Sequence, residues 1–353
     1  MYNDYIEDDV PGVPQKIDLL SLSLSELKEI IKNKLEIEQY RAEQIYSWMY
    51  KVNSFTEMSN ISEKHKKLFD EHFHIKKLEI DKKLVSSDGT VKYLFDLGDG
   101  SKIESVFMKY NHGNTACISV QAGCRMNCAF CASSIGGLAR NLTAAEMLLQ
   151  IINIEKDTGS RVANIVLMGI GEPLDNFDNV IKFIELANTG LNIGLRHISL
   201  STCGLIDKIN ELKLKNLPIT LSVSLHAPND ELRGRIMPVN NKYKIAELLQ
   251  ACKIYAEHTR RRISFEYILI NNFNDSEQNA RELASRVKNI LCHINLIMVN
   301  RVYKQGGQEF APPSRKQAEI FRRVLENNGI NATFRRKCGG DVDASCGQLR
   351  LNN

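Results

Sequence analysis

Cys124, Cys128 and Cys131 form the pattern C-x3-C-x2-C, and no other stretch of the chain concentrates as much chemistry. Three thiolates at that spacing suit three irons of a [4Fe–4S] cube and leave the fourth iron without a protein ligand. Ferredoxins, which only carry electrons, close all four corners with cysteine. An open corner instead admits a small chelating molecule and passes it an electron. That suits reductive cleavage of S-adenosylmethionine (SAM), chelated through its amino and carboxylate groups, to a 5′-deoxyadenosyl radical. The competing readings are a zinc site and plain buried cysteines. Structural zinc sites pair their ligands as two C-x2–4-C or H-x3–5-H units, and no second unit lies nearby.

The elements around the cysteines say how such a site is held. Residues 117–123 are β-rich and end in Gly123, and Phe130 precedes the last cysteine. A helix is predicted over about residues 143–154, capped by Thr143 with Glu146 three positions on. Strand, cysteine loop, helix is how a parallel α/β barrel presents a site, at the carboxyl end of a strand. Further apolar runs at 163–168, 197–201, 219–224, 263–269 and 292–298 alternate with helical stretches. With the run at Ile118 they make about six strand–helix units, a partial parallel (β/α)6 barrel in an α/β chain.

Upstream, Ser23 and Glu26 make a capping box, and Leu27, Ile30, Ile31 and Leu35 recur at helical spacing. Two more helices follow, one with Ala42, Ile45, Trp48 and Met49, the other near residues 63–72. Asp88-Gly89 and Asp99-Gly100 mark hairpin turns in a β-rich linker. The expected organisation is an acidic tail (1–15), an N-terminal helical domain (16–80), a β-hairpin extension (81–115), the barrel (116–334) and a polar, glycine-rich C-terminal loop over its mouth (335–353).

Several predicted strand ends carry polar groups. One run ends in Gly171 and Glu172, where glycine lets a backbone approach a ligand and a carboxylate accepts a bond from an ammonium group. Ser201, the triplet Ser224-Leu225-His226 and Asn300 fall on the same rim, which together resemble a ligand pocket. His226 by itself reads more readily as a satisfied structural histidine.

The 353 residues, 43% hydrophobic and 25% charged, describe an ordinary globular protein with room for a large core and an accessory domain. There is no apolar run of membrane-spanning length, and the acidic N-terminus lacks the layout of a signal peptide. Nine cysteines without such a signal point to a reducing, cytoplasmic setting and to metal or thiol chemistry. The net charge of +4 permits a polyanion partner without demanding one. Arg260-Arg261-Arg262 and Arg335-Arg336-Lys337 are solvated faces or nucleic-acid contacts.

Cys117–Cys131, Met168–Pro173, Ser224–Asn229 and Asp343–Leu349, taken together, resemble the radical-SAM RNA adenine methyltransferases over about residues 16–350. The resemblance is strongest to the branch that methylates adenine C2 in 23S rRNA and tRNA. A near branch methylates C8 and confers antibiotic resistance. It implies a [4Fe–4S] cluster on Cys124, Cys128 and Cys131, and SAM bound by Gly171, Glu172, Ser201, Ser224, Leu225, His226 and Asn300. Met298 and Arg301 stand near Asn300, where the family has proline. The resemblance further implies that Cys346 carries a methyl group, that Cys117 pairs with it in a transient disulfide, and that Glu104 accepts the ring proton.

Adenine C2 is electron-poor and has no lone pair, whereas a thiolate takes a sulfonium methyl readily. The implied sequence therefore uses two SAM molecules: one methylates Cys346, the other yields the radical that activates that methyl. Addition to the ring joins RNA to protein, and Cys117 releases it. An electron donor such as flavodoxin or ferredoxin is implied, and no membrane. A non-catalytic iron–sulfur RNA-binding protein would need neither Cys346 nor the polar rim. A radical enzyme for a small molecule would leave the N-terminal helices and basic clusters without a use. Cys203, Cys252 and Cys292 read as buried small hydrophobes, and Cys338 is a second thiol close to Cys346 with no implied role.

Overall fold

The computed structural model describes residues 16–300 and 310–349. The expected tail 1–15, Arg301 and the last four residues of the C-terminal loop lie outside the described residues. The Ser23–Glu26 box forms as its spacing requires. Glu26 N donates to Ser23 Oγ (3.3 Å), and Ser23 N donates back to Glu26 Oε2 (2.7 Å). It starts helix α1 (Leu24–Lys34), which buries Leu27, Ile30 and Ile31. Helices α2 (Tyr40–Met49) and α3 (Glu63–His72) complete the N-terminal layer. This layer rests on the barrel through an ion pair of Glu26 with Lys182 and a Tyr46–Thr189 hydroxyl contact.

One ten-stranded sheet runs through the rest of the molecule in sequential order. Strands β1 (Glu79–Val85), β2 (Val91–Asp96) and β3 (Lys102–Met108) form an antiparallel meander. Its two turns carry Asp88-Gly89 and Asp99-Gly100, the glycines at positive φ. Strand β3 then pairs antiparallel with β4 (Thr115–Cys117), setting Val106 opposite Cys117. From β4 every neighbour is parallel: β5 (Asn164–Leu167), β6 (Ile198–Thr202), β7 (Thr220–Ser224), β8 (Ile263–Leu269), β9 (Cys292–Met298) and β10 (Ala332–Phe334). Parallel neighbours need long crossovers, and helices supply them. They are α4 (Ala144–Thr158), α5 (Phe177–Thr189), α6 (Ile206–Leu214), α7 (Asp230–Ile236), α8 (Ile245–Thr259), α9 (Glu277–Val287) and α10 (Arg315–Asn327). The result is a partial (β/α) barrel, open between β10 and the meander.

The meander extends the barrel sheet through the β3–β4 pairing. The sheet departs from the expected strands in two places. A further parallel strand, β10, follows the expected six; at three residues it is too short to show a period. The run at Ile118 is no continuous strand. It leaves the sheet after Cys117, because Ser119 turns inward, its amide bonded to Gln150 Oε1 (2.9 Å) and its hydroxyl to the Glu104 carbonyl. Gln121–Gly123 then pairs with Leu138–Asn141 as a two-stranded brace under the cysteine loop. Among the described residues no helix is long and apolar enough to cross a membrane.

Candidate active site

The cysteine loop is fixed by its backbone and by a bidentate Arg125–Asp175 ion pair. Gly123 has φ +81°, and a Cβ there would lie 2.0 Å from the Gly137 carbonyl oxygen, so only glycine fits. That same oxygen accepts the Cys124 amide at 2.8 Å. Asn127 turns the loop in the left-handed region, which asparagine tolerates. The Ala129 amide bonds Ile236 O and the Ala132 amide bonds Gly347 O, both at 2.8 Å. All three cysteines thereby line one pocket at the carboxyl ends of β5 to β8.

Burial pushes the Cys124 thiol up to about 12, and burial with the Cys131 and Cys124 charges pushes Cys128 up as well. Such thiols stay protonated and inert unless a metal centre takes the proton's place. Among the described residues no three His, Cys, Asp or Glu side chains converge as the ligands of a single ion do. Three free thiols lining one pocket are a donor set that fits three irons of a cube with one open corner.

Gly171, Glu172, Ser201, Ser224 and His226 line this pocket with the cysteines. Gly171, at φ +110°, leaves a Cβ only 2.7 Å from the Gln121 side chain. The Glu172 carboxylate accepts the Leu174 amide (3.0 Å) on one oxygen and the Cys203 amide (2.7 Å) on the other. Burial pushes Glu172 up, and these donors oppose it. His226 sits at φ +58° with its ring edge-on to Phe130, the centroids 4.8 Å apart. Its Nδ1 accepts the Ile268 amide at 3.1 Å, so the proton is on Nε2. Burial, helped by the Arg233 charge, lowers His226 to about 3. Leu225 is fully buried behind the rim, its amide bonded to Glu266 O at 3.1 Å.

A second pocket adjoins the first, and Met168, Ile297, Arg335 and Cys346 wall both. It contains Cys117, Cys338 and Asn300. Asn300 thus faces Cys346, donating Nδ2 to its carbonyl at 3.0 Å. Burial and the Cys346 charge push Cys117 up to about 12. All nine cysteines are free thiols here, so the Cys117–Cys346 disulfide is not formed in this structure. The segment bearing Cys346 is clamped on both sides. Asp341 accepts bonds from Ser86 and Ser87, Asp88 accepts the Gly339 amide (3.0 Å), and Ser133 Oγ donates to Leu349 O (2.9 Å). Gly347, at φ +78°, passes within 3.2 Å (from its Cβ position) of the Phe130 carbonyl. Glu104 lies in neither pocket. It is ion-paired with Lys92 (2.7 Å) in a cleft beneath residues 341–343, two positions along β3 from Val106.

Three residues of this region carried no readable signal. Arg233, on α7, is completely buried and donates to the carbonyls of Cys203 (2.7 Å), Ser224 (3.2 Å) and Leu225 (3.1 Å) and to Asn240 Oδ1 (3.2 Å). It ties the ends of two strands to the rim. Arg335 separates from its exposed neighbours Arg336 and Lys337 and turns inward. Its Nη1 lies 3.5 Å from Glu266 Oε2, and the charges of Cys346 and Glu266 hold it protonated despite burial. Cys203, expected as a plain core residue, lines the first pocket against Glu172. In the other basic cluster Arg261 is structural, its Nε bonded to Ile219 O at 2.9 Å.

A partial barrel with three loop cysteines and a polar rim at its strand ends is the architecture of the radical SAM enzymes, and the model of the Radical SAM superfamily matches residues 118–284. The model of the ribosomal RNA large subunit methyltransferase N-terminal domain matches residues 17–75. The chain is 51% identical over 340 residues to a probable dual-specificity RNA methyltransferase RlmN of Desulforamulus reducens, covering 95% of this chain and 96% of that one. To its counterpart in Alkaliphilus oremlandii it is also 51% identical, over 95% and 98% of the two chains. The crystal structure of a radical SAM methyltransferase from Sphaerobacter thermophilus superposes with a TM-score of 0.89 at 38% identity, covering 95% of this chain and 99% of that one. The chain belongs to the RlmN family of radical SAM methyltransferases.

Proposed function

We propose that the protein methylates C2 of an adenine in 23S rRNA and in tRNA, in the cytoplasm, through a methyl group carried on Cys346. The observation that carries this reading is the position of Cys346 in the wall shared by the two pockets. On one side lie the three loop cysteines and the polar rim; on the other lies Cys117. A residue whose sulfur takes a methyl from SAM on one side, and loses the RNA-borne carbon to thiol attack on the other, stands between the two.

In this reading Cys124, Cys128 and Cys131 hold a [4Fe–4S] cluster, which when bound supplies the electron for SAM cleavage. Glu172 presents its carboxylate to the SAM ammonium. Gly171 allows close approach, and Ser201, Ser224 and the Nε2–H of His226 complete the rim. Leu225 contributes by backing it. Cys346 accepts the methyl, its carbonyl held by Asn300 Nδ2 and Arg335 beside it in the wall of both pockets. Cys117 attacks Cys346 to release product, and Glu104 takes the ring proton from its adjoining cleft. The N-terminal region 16–80 adds RNA affinity through phosphate contacts, which weaken with salt. An electron donor of the flavodoxin or ferredoxin class serves the cluster.

The test is to incubate the reconstituted holoenzyme with SAM, a reductant and transcribed 23S rRNA or tRNA, then digest the RNA for mass spectrometry. The expected product is 2-methyladenosine, with 5′-deoxyadenosine formed alongside it. Methylation at C8, or 5′-deoxyadenosine without methylated RNA, contradicts the reading.

A further inference from the structure

Three thiols, not two, line the transfer pocket: Cys117, Cys346 and Cys338. Cys338 has no part in methyl transfer or release as described above, yet its setting is built. It follows the cationic run Arg335-Arg336-Lys337 directly. The Tyr110 hydroxyl lies 3.5 Å from its Sγ, and Arg336 stacks over the Tyr110 ring. Its segment folds back so that Cys338 and Cys346 travel together. The Ala344 amide bonds Gly339 O (2.9 Å), and Ser345 Oγ donates to Cys338 O (2.8 Å). Gly339, at φ +60°, makes the turn possible; a Cβ there would meet Ala344 at 2.7 Å. Cys117, by contrast, sits on a central strand and cannot follow the segment.

We infer that Cys338 is the exchange thiol that breaks the Cys117–Cys346 disulfide left by product release, freeing Cys346 for the next methyl group. The inference rests on the reading that such a disulfide forms. The Cys338 thiol gives its proton to solvent and its sulfur attacks Cys117 Sγ. The Cys117–Cys346 bond breaks as a Cys117–Cys338 bond forms, and Cys346 leaves as a thiolate. The exchange consumes no electrons. An external dithiol reductant then delivers two electrons to the Cys117–Cys338 bond and restores both thiols.

The experiment compares the native holoenzyme with Cys338→Ser and Cys338→Ala during steady-state turnover on RNA with limiting dithiol. Samples are quenched in acid, and their disulfides are mapped by peptide mass spectrometry without reduction; cluster iron content reports that the variants are folded. The native chain is expected to show a Cys117–Cys338 disulfide. Both variants are expected to accumulate the Cys117–Cys346 disulfide and to turn over several-fold more slowly. Native turnover in both variants, with only Cys117–Cys346 found in the native chain, overturns the exchange role and leaves the parent reading standing. Absence of Cys117–Cys346 from every sample overturns both.

Discussion

The two pockets share a wall but are built in different ways. The cluster pocket is assembled from the ends of consecutive parallel strands and from a loop pinned by its own amides. Arg233, buried at its base, ties three carbonyls together. The transfer pocket joins parts of the chain that lie far apart: Cys117 on β4, Asn300 beyond β9, and the 335–349 segment clamped between the meander and the cysteine loop. A site that must hold a cube and a chelated cofactor benefits from a rigid scaffold. A site that must admit a nucleotide, form a covalent joint and release it needs a wall that can move. Hydrogen bonds on a loop, rather than strand pairing, provide that wall.

The contrast is broken most severely at the cluster. Cys128→Ala is expected to lose cluster iron and all methyl transfer while its far-ultraviolet circular dichroism stays native; an iron-replete, active variant would refute the assignment. Arg233→Met comes next. It strands buried carbonyls, so a loss of about 3 kcal/mol or more is expected in denaturant unfolding, together with weakened SAM binding. Native stability in this variant would mean that the cluster pocket does not depend on its buried base.

Asn300→Ala sharpens the comparison, because the resemblance assigns Asn300 to SAM whereas its bond goes to the Cys346 carbonyl. Losing one hydrogen bond of about 1 kcal/mol should slow methyl loading of Cys346 by less than about tenfold. SAM affinity, measured by equilibrium dialysis, should be unchanged. Weakened SAM affinity with native loading at saturation would move Asn300 to the other pocket.

The last effect concerns pH. His226 is lowered from 6.5 to about 3 in the fold, so the unfolded chain takes up a proton first as pH falls. Stability is therefore lost progressively between those values and is unaffected by this group above them. His226→Asn keeps an acceptor for the Ile268 amide and suits the positive φ. Between about pH 7 and pH 5 it should lose about 1–2 kcal/mol less than the native chain in urea unfolding. An identical pH dependence would mean that His226 titrates normally.

What was legible in the sequence follows the same division. The three cysteines, the capping boxes at Ser23 and Thr143 and the strand-end residues 171–172 and 224–226 are local patterns. Each is written within a few residues of sequence, so spacing alone betrays it. Arg233 and Arg335 were not legible, because a basic residue on a short helix or in a basic run looks solvated until the fold buries it. Asn300 against Cys346, and Glu104 in its own cleft with Lys92, depend on how the C-terminal segment returns to the meander. No local periodicity encodes that return. The Ile118 run failed as a strand for a related reason: Ser119 and Gln121 take partners on other elements, and those contacts outcompete continued pairing in the sheet.

The central claim, that Cys346 and Cys117 form one transfer device across the shared wall, is tested most directly by Cys117→Ala. The cluster-replete variant is incubated with SAM, reductant and end-labelled RNA and run on a denaturing gel, beside Cys346→Ala. Addition without release is predicted, so Cys117→Ala should retain label as a protein–RNA conjugate and Cys346→Ala should retain none. No conjugate in Cys117→Ala, or one that persists in Cys346→Ala, would contradict the account.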